Sequence, residues 1–374
     1  MKNLLQSGNR CRRMTIWLAV IICLLHPALQ HETAQASNIA QVSANEVLIG
    51  VLGLFHPREF VIRVIPGQAL ILRADTATEI LETSVWPEAS VQIENEQVLV
   101  RVGTRVFHSP EISLSGRQGE PVKFCLRIPG KISRRYLGRL EIRASGRELI
   151  AIVRMDREAA VAAVVAAESL PDTPIEALKA QAIAARSYLA SGRGRHAEFD
   201  FCDTTHCQFM REPPDPASNA AQAVTATKGL ALAYNSRTFP AMYTRSCSGR
   251  TVTPLEVGMH PGSYPYYSVE CRYCREHPAR WTTHLSSSDA ARLRVQDESS
   301  RLELGRRLGW NAVPSSQFKM LKHGDQILLR GSGQGHGIGL CQAGAKAMAL
   351  EGAGYQQILS HYYPNTTIIA LPPS

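Results

Sequence analysis

The sequence predicts an α+β protein in which a β-rich N-terminal region precedes a mixed α/β domain. Between residues 37 and 150, short runs of β-branched residues alternate with turn residues, which indicates strands. From Glu158 the chain becomes rich in alanine, which favours helices. Between Asp325 and Glu351, a strand-like run, a glycine-rich loop and a helix-like run follow one another. We therefore predict a first region over 37–150 and a second over 151–374.

The N-terminus has the pattern of a secretory signal peptide. Arginines between positions 10 and 13 precede an apolar run over 14–25, and the A-x-A sequence Ala34-Gln35-Ala36 follows a polar stretch. The apolar run is short for a helix that spans a bilayer. We expect residues 1–36 to be cleaved after Ala36 and the mature chain to be exported, to the periplasm or to the cell wall and extracellular space.

Strands of the first region are expected at five runs of apolar and β-branched residues, separated by Pro-Gly and Ser-Gly turns at 66–67, 129–130 and 145–146. The runs cover 47–52, 60–65, 69–73, 97–102 and 138–143. No polar cluster with catalytic spacing falls among them. We therefore expect the functional residues in the second region.

The second region begins with two expected helices. The first runs from Glu158 to Ala167, and the second follows the break Ser-Leu-Pro and continues to Leu189. A polar segment over 191–215 and another helix over 217–228 come next. A strand over 325–330, a glycine loop over 331–339 and a helix over 341–351 complete the prediction.

Glu168 lies at the end of the first expected helix. Val161, Val164 and Val165 form the apolar side of this helix, and Glu168 follows one turn later on the same side. The helix dipole and apolar surroundings both disfavour the anion there and raise the pKa of the carboxyl. A carboxyl that stays protonated near neutral pH can protonate a glycosidic oxygen as a general acid. The alternative is a solvated glutamate at a helix end.

The glycine loop GSGQGHGIG over 331–339 matches no nucleotide-binding template. It contains no G-x-G-x-x-G, and Gly344 is followed by Ala-Lys instead of Lys-Ser or Lys-Thr. We expect its glycines to let the backbone pass close to a substrate or to another strand. His336 in this loop either faces a cleft or is a hydrogen-bonded structural histidine.

Histidine and cysteine residues recur at spacings typical of zinc ligands. His196, Cys202 and Cys207 form one group, and Cys271 and Cys274 form a C-x-x-C pair. In an oxidising compartment, each pair of cysteines could equally form a short-loop disulfide. From the residues alone, zinc bound by His196, Cys202 and Cys207 and short-loop disulfides at Cys202–Cys207 and Cys271–Cys274 therefore remain alternatives.

The net charge of +9 favours a negatively charged partner. However, the arginines are scattered and only 6% of residues are aromatic, which does not favour nucleic-acid binding. We therefore expect no nucleic acid among the partners.

Four long segments occur in a characteristic order: "VVAAESLPDTPIEALKAQAIAARSYL", "CDTTHCQ", "AVTATKGLALAYNSRTFPAMYTRSCSGRT" and "GQGHGIGLCQAGAKAMALEGAGYQQILSHYYPNT". Together they resemble the stage II sporulation protein D (SpoIID) family, whose relatives include amidase enhancers of the LytB type. The resemblance covers roughly residues 130 to 370. Where the family usually has Met-Pro after its conserved glutamate motif, this chain has Ser169-Leu170.

The resemblance implies a lytic transglycosylase that cleaves the glycan strands of peptidoglycan, preferably peptide-free ones, and leaves 1,6-anhydro-muramic acid ends. Glu168 falls on the family's catalytic glutamate, and one acid is enough because the 6-hydroxyl of the sugar is the nucleophile. The resemblance also implies zinc, and with it we expect His196, Cys202 and Cys207 near Glu168 as three zinc ligands with the fourth position open, although the acid chemistry requires no metal. A Cys202–Cys207 disulfide remains the alternative to zinc. The alternative to the transglycosylase is a non-catalytic glycan-binding module that stimulates an N-acetylmuramoyl-L-alanine amidase.

A further group of polar residues is expected along the same cleft as Glu168. Gln181 and Tyr188 lie seven residues apart on one side of the second helix, with Arg186 next to that face. The full expected group consists of Gln181, Arg186, Tyr188, Gln208, Gly335, His336 and Gly337. We predict that these residues bind the glycan.

Overall fold

The computed structural model describes residues 45–75, 77–82 and 84–372. The expected signal peptide lies outside the described residues. All described residues belong to one compact unit. None of the helices within them is both long and apolar enough to cross a membrane.

The first eleven strands precede any α-helix, as the sequence predicts. They are β1 Glu46–Val51, β2 Glu59–Val64, β3 Ala69–Ala74, β4 Thr78–Glu82, β5 Glu88–Glu94, β6 Gln97–Val102, β7 Arg105–Ser109, β8 Glu111–Ser115, β9 Val122–Ile128, β10 Ile132–Ser145 and β11 Glu148–Asp156. Each of the five predicted runs lies within or overlaps one of these strands. The predicted turns at Gly67, Gly130 and Gly146 have positive φ, which glycine adopts at little cost.

The long strand β10 connects the two parts of a curled antiparallel sheet. Its first half pairs with β9, which continues through β2, β5, β6 and β7. Its second half pairs with β11 on one side and with β8 on the other. The change of partner occurs at Gly138, where a Cβ would lie 2.6 Å from the Arg154 carbonyl oxygen. The absent side chain therefore permits the close strand crossing.

The second region contains the helices and several short strands. They are α1 Arg157–Glu168, α2 Ile175–Ser191, β12 Phe201–Cys202, α3 Asn219–Ala226, β13 Leu230–Tyr234, β14 Arg237–Thr238, β15 Tyr243–Thr244, α4 Arg272–Glu276, β16 Arg280–Ser286, α5 Ser287–Ala290, α6 Glu298–Leu308, β17 Phe318–His323, β18 Gln326–Ser332, β19 Leu340–Cys341, α7 Gln342–Leu350, α8 Tyr355–Tyr362 and β20 Thr367–Ala370. This arrangement confirms the predicted α+β class.

Helices α1 and α2 pack into the main hydrophobic core. The Asp156 side chain caps α1 by accepting a hydrogen bond from the Ala159 N–H. Most of α2 is buried, which its many alanines permit because they allow neighbouring helices to approach closely. These contacts bury α1 as far as Val165, whereas Ala167 and Glu168 at its C-terminal end are half-buried.

The β-rich region and the helical region share one sheet. β11 spans position 150, and β1 pairs with β11 on one edge and with β12 of the second region on the other. The domain boundary at 150 stays a prediction. A smaller hydrophobic cluster, separate from the main core, lies among α5, α6 and the antiparallel strands β16, β18 and β17.

Candidate active site

A cavity of about 400 Å³ lies at the C-terminal end of α1. Its walls come from the segment 205–209, from β15 and Arg245, from the glycine loop at 334–336, and from α6 with Trp310. This volume is within the usual range for a small-molecule site. Segments that are distant in sequence therefore meet around one concave surface.

Glu168 contributes its side chain to this cavity. Gln342 at the start of α7 donates a hydrogen bond of 3.0 Å to the Glu168 carbonyl oxygen, which fixes the end of α1. The backbone N–H of Phe209 donates to the Glu168 carboxyl. Burial raises the pKa of Glu168 to about 7, and the hydrogen bond from Phe209 opposes this shift only in part. A carboxyl whose pKa lies this close to neutral pH can keep a proton there and donate it.

Two polar side chains beside Glu168 have buried atoms without hydrogen-bond partners in the described part of the chain. These atoms are the Tyr243 hydroxyl and both the oxygen and the nitrogen of the Gln208 amide. The Tyr243 hydroxyl faces Glu168 closely enough to favour its anion, but it does not reach hydrogen-bond geometry. Buried polar groups are normally paired, so these atoms are suited to hydrogen-bond a ligand.

The glycine loop forms another wall and is held against β15. Thr244 Oγ1 donates to the Gln334 carbonyl oxygen and accepts from the Gly337 N–H, at 3.0 and 3.1 Å. Gly335 and Gly337 have φ values of +99° and +79°, and a Cβ on Gly335 would lie 2.5 Å from Thr244 Oγ1. The close passage of the loop along another strand therefore agrees with the sequence-based expectation for its glycines.

Of the expected loop residues, Gly335 and His336 line the cavity, whereas Gly337 is buried behind them. His336 Nδ1 accepts a hydrogen bond of 3.0 Å from the Ile338 N–H, so the neutral ring carries its proton on Nε2. Burial also lowers the pKa of His336, which favours this neutral form. The ring therefore presents a neutral imidazole to the cavity.

The predicted residues of α2 have different locations. Tyr188 lines the cavity, together with Arg195, which contacts its hydroxyl. Gln181 is buried and does not line the cavity. Its Oε1 accepts a 3.1 Å hydrogen bond from the Ser169 hydroxyl. The structure thus places Gln181 where it positions the residue next to Glu168.

The predicted glycan contact of Arg186 is corrected by the structure. The Arg186 side chain is 0% exposed and forms a bidentate ion pair with the Glu158 carboxylate, with nitrogen–oxygen distances of 2.7 and 2.8 Å. The same guanidinium also donates to the Leu230 carbonyl oxygen at 2.9 Å. Arg186 therefore connects α1, α2 and β13 inside the core and does not reach the cavity. Helical spacing alone could not show which side of the largely buried α2 faces the cavity.

His196, Cys202 and Cys207 lie together, and His206 joins them. Their ligand atoms are all within 4.8 Å of one another. His196 Nε2 lies 3.3 Å from Cys207 Sγ, and His206 Nδ1 lies 3.7 and 3.5 Å from the sulfurs of Cys202 and Cys207. A hydrogen bond from the Cys207 thiol lowers the pKa of Cys202. Two thiols and two imidazoles in this arrangement fit tetrahedral zinc.

His206 adds a fourth possible ligand to the three predicted residues, because its ligand atom lies within 4.8 Å of theirs. His206 was not among the predicted ligands, although its place directly before Cys207 in the sequence is a signal for it. His206 and Cys207 also line the cavity, so this group adjoins the site that contains Glu168.

Comparison with known proteins identifies relatives for this part of the chain. Residues 145–234 match the SpoIID family, described as Stage II sporulation protein. An uncharacterized protein of Brachyspira hyodysenteriae is 29% identical over 269 residues, which cover 63% of this chain and 72% of the relative. Stage II sporulation protein D of Bacillus amyloliquefaciens is 26% identical over 251 residues, which cover 56% and 72% of the two chains.

The Amidase enhancer of Bacillus subtilis is 25% identical over 272 residues. That match covers 52% of this chain and 38% of the enhancer. The SpoIID match over residues 145–234 includes α1, α2, β12 and α3, and with them Glu168 and the group of His196, Cys202, His206 and Cys207. The segment that contains these residues is therefore similar to the stage II sporulation protein D family, as the resemblance of the sequence predicts.

Proposed function

We propose that this protein is exported and cleaves the glycan strands of peptidoglycan as a lytic transglycosylase, with Glu168 as the acid and then the base. The observation that carries the proposal is the desolvated Glu168 carboxyl, whose pKa is raised to about 7 in a ligand-sized cavity. A general acid works best when its pKa lies near the working pH. The family resemblance supplies the substrate class.

Each step of this reaction uses the Glu168 carboxyl. The protonated carboxyl donates its proton to the glycosidic oxygen, and the bond between that oxygen and C1 of the muramic acid breaks. The carboxylate that forms is stabilised by the hydrogen bond from the Phe209 N–H. It then takes the proton of the muramic acid 6-hydroxyl while that oxygen bonds to C1. The products are a 1,6-anhydro end and a free hydroxyl on the leaving sugar, and Glu168 is again protonated.

The other cavity residues would hold the glycan during this reaction. The Gln208 amide and the Tyr243 hydroxyl offer donors and an acceptor without partners in the described structure, and sugar hydroxyls match both roles. Tyr188 adds an aromatic surface and Arg195 a positive charge. The cavity is therefore suited to a neutral sugar ring that carries hydroxyl and acidic substituents.

His196, Cys202, His206 and Cys207 would hold a zinc ion in the same proposal. Bound zinc would brace the segment 196–209, which carries both Gln208 and the Phe209 N–H. Proton transfer remains with Glu168. A disulfide between Cys202 and Cys207 is the competing arrangement, and it would remove both thiolate ligands.

A second candidate function is stimulation of a cell-wall amidase without glycan cleavage, because one relative is named Amidase enhancer. In that function the cavity binds glycan and brings the amidase to its substrate. Purified peptide-free glycan strands should be incubated with the wild type and with Glu168→Gln, and the products analysed by mass spectrometry. New 1,6-anhydro ends that appear only with the wild type support cleavage, whereas bound but uncleaved strands support the enhancer.

A further inference from the structure

Four cysteines that lie apart in the sequence meet inside the second region. Cys247 follows β15, Cys271 directly precedes α4, Cys274 lies within α4, and Cys341 ends β19. All four are buried, with exposures of 0–2%. Their sulfur atoms all lie within 4.8 Å of one another.

We infer that Cys247, Cys271, Cys274 and Cys341 form a second metal site, in which four thiolates hold a structural zinc ion. A tetrahedral site with zinc–sulfur bonds of ~2.3 Å has sulfur–sulfur distances of about 3.8 Å. The sulfurs of Cys274 and Cys341 are 3.5 Å apart, close to that value and far from the ~2.05 Å of a disulfide. Two disulfides require only two close pairs, whereas tetrahedral coordination requires that all four sulfurs be near one another.

The surroundings of the four sulfurs are those of thiolate ligands. Backbone N–H groups of Cys247 and Gly344 point at Cys341 Sγ at 3.3 and 3.4 Å. Hydroxyl groups also reach two of the sulfurs, with Ser246 Oγ 3.4 Å from Cys274 and Tyr362 Oη 3.5 Å from Cys271. Such donors compensate the negative charge of metal-bound sulfur and orient the ligands.

Gly344 provides space that this cluster needs. A Cβ at this position would lie 2.5 Å from Cys271 Sγ and 2.0 Å from the Tyr362 hydroxyl. Because φ of Gly344 is not in the left-handed region, backbone conformation does not require a glycine here. The close approach of Cys271 to the first turn of α7 does require it.

A metal at this position would stabilise segments that form the wall of the candidate active site. Cys341 directly precedes Gln342, whose amide holds the carbonyl group of Glu168. Cys247 lies two residues after Arg245, which lines the cavity. The ion would thus join α4 to both segments, and its loss would loosen the wall that positions Glu168. The metal assignment itself does not depend on the proposed glycan cleavage.

The test uses the full exported chain, purified from the compartment to which it is exported, without reductant or chelator. The double variant Cys202→Ser/Cys207→Ser removes two ligands of the other group and leaves the four-cysteine site intact. We expect it to retain one zinc ion per chain, and X-ray absorption spectroscopy should show four sulfur ligands at ~2.3 Å. Cys271→Ser/Cys274→Ser should contain one zinc less than the wild type.

Cys125→Ser is the matched control, because Cys125 belongs to neither group and its loss should leave the zinc content unchanged. If the Cys271/Cys274 variant does not fold, the spectrum of the folded Cys202/Cys207 variant decides the question. Disulfides among the four cysteines, found by peptide mapping under non-reducing conditions, would overturn the inference. Four free thiols without metal, or iron in place of zinc, would also overturn it.

Discussion

Replacing Glu168 by Gln tests both the proposed general acid catalysis and the desolvation of the Glu168 carboxyl. The substitution keeps the shape of the side chain and an oxygen that can accept the Phe209 hydrogen bond, but it removes the acidic proton. General acid catalysis typically contributes ~10²–10⁴-fold to the rate, so we expect the rate of glycan cleavage to fall by at least ~10²-fold. Glycan affinity should change little, because the cavity keeps its other polar groups.

The same substitution should increase stability at alkaline pH. The pKa of Glu168 rises from 4.5 to about 7 on folding, first because of burial. Between these values the folded state binds more protons than the unfolded state, so the free energy of unfolding of the wild type falls as pH rises. The full pKa shift lowers the free energy of unfolding of the wild type by on the order of 3 kcal/mol above pH ~7. Glutamine stays neutral, so the variant should match the wild type below pH ~4.5 and exceed it above pH ~7.

Denaturant unfolding at several pH values, combined with cleavage assays, measures both effects. Glu303→Gln on α6 is the matched control, because Glu303 is 70% exposed and does not line the cavity. It should show neither the loss of cleavage nor the pH-dependent gain in stability. Wild-type cleavage should decline as pH rises through about 7, when the acid loses its proton. Near-wild-type cleavage by Glu168→Gln would refute the role of Glu168, and equal stability of variant and wild type at pH 8 would refute its desolvation.

The remaining predictions concern binding, packing and metal. Gln208→Ala should raise KM for glycan about fivefold, the equivalent of one hydrogen bond, without lowering the melting temperature. Arg186→Met should destabilise the protein by about 3–5 kcal/mol in denaturant unfolding, because Glu158 loses its partner. His206→Ala should weaken zinc binding in competition with a chromophoric chelator, and wild-type affinity would show that His206 is no ligand. Gly339→Ala should cost at least about 1–3 kcal/mol, since φ is +70° there.

The sequence predicted those strands whose apolar pattern and bounding turn residues lie close together along the chain. The run at 97–102 coincides with β6, because turn residues bound an apolar strand on both sides. The prediction at 138–143 covers only the second half of β10. The first half contains Arg134 and Arg135, whose charge hides the strand pattern. In the folded protein they pair with Asp203 and Glu212, which follow more than 60 residues later in the chain.

The candidate site was predictable where it depends on neighbouring residues. Glu168 could be identified because the helix end and the apolar residues before it are contiguous. The location of Arg186 could not, because α2 is buried on most of its circumference and periodicity no longer distinguishes a cavity face from a core face. The four-cysteine cluster depends on contacts among three distant segments, so the sequence showed only its C-x-x-C pair.

The structure also explains why only one of the two carboxyls that line the cavity is suited to donate a proton. Glu298 of α6 was not singled out in the sequence, yet it too contributes to the cavity wall. Burial would raise its pKa, but Arg301 makes two hydrogen bonds to the carboxyl and the Ser316 hydroxyl makes another, so the pKa of Glu298 is lowered. Glu168 has no cationic partner of this kind among the described residues, and its desolvation is only partly offset. Glu298 therefore stays ionised at neutral pH, whereas Glu168 retains its proton for transfer.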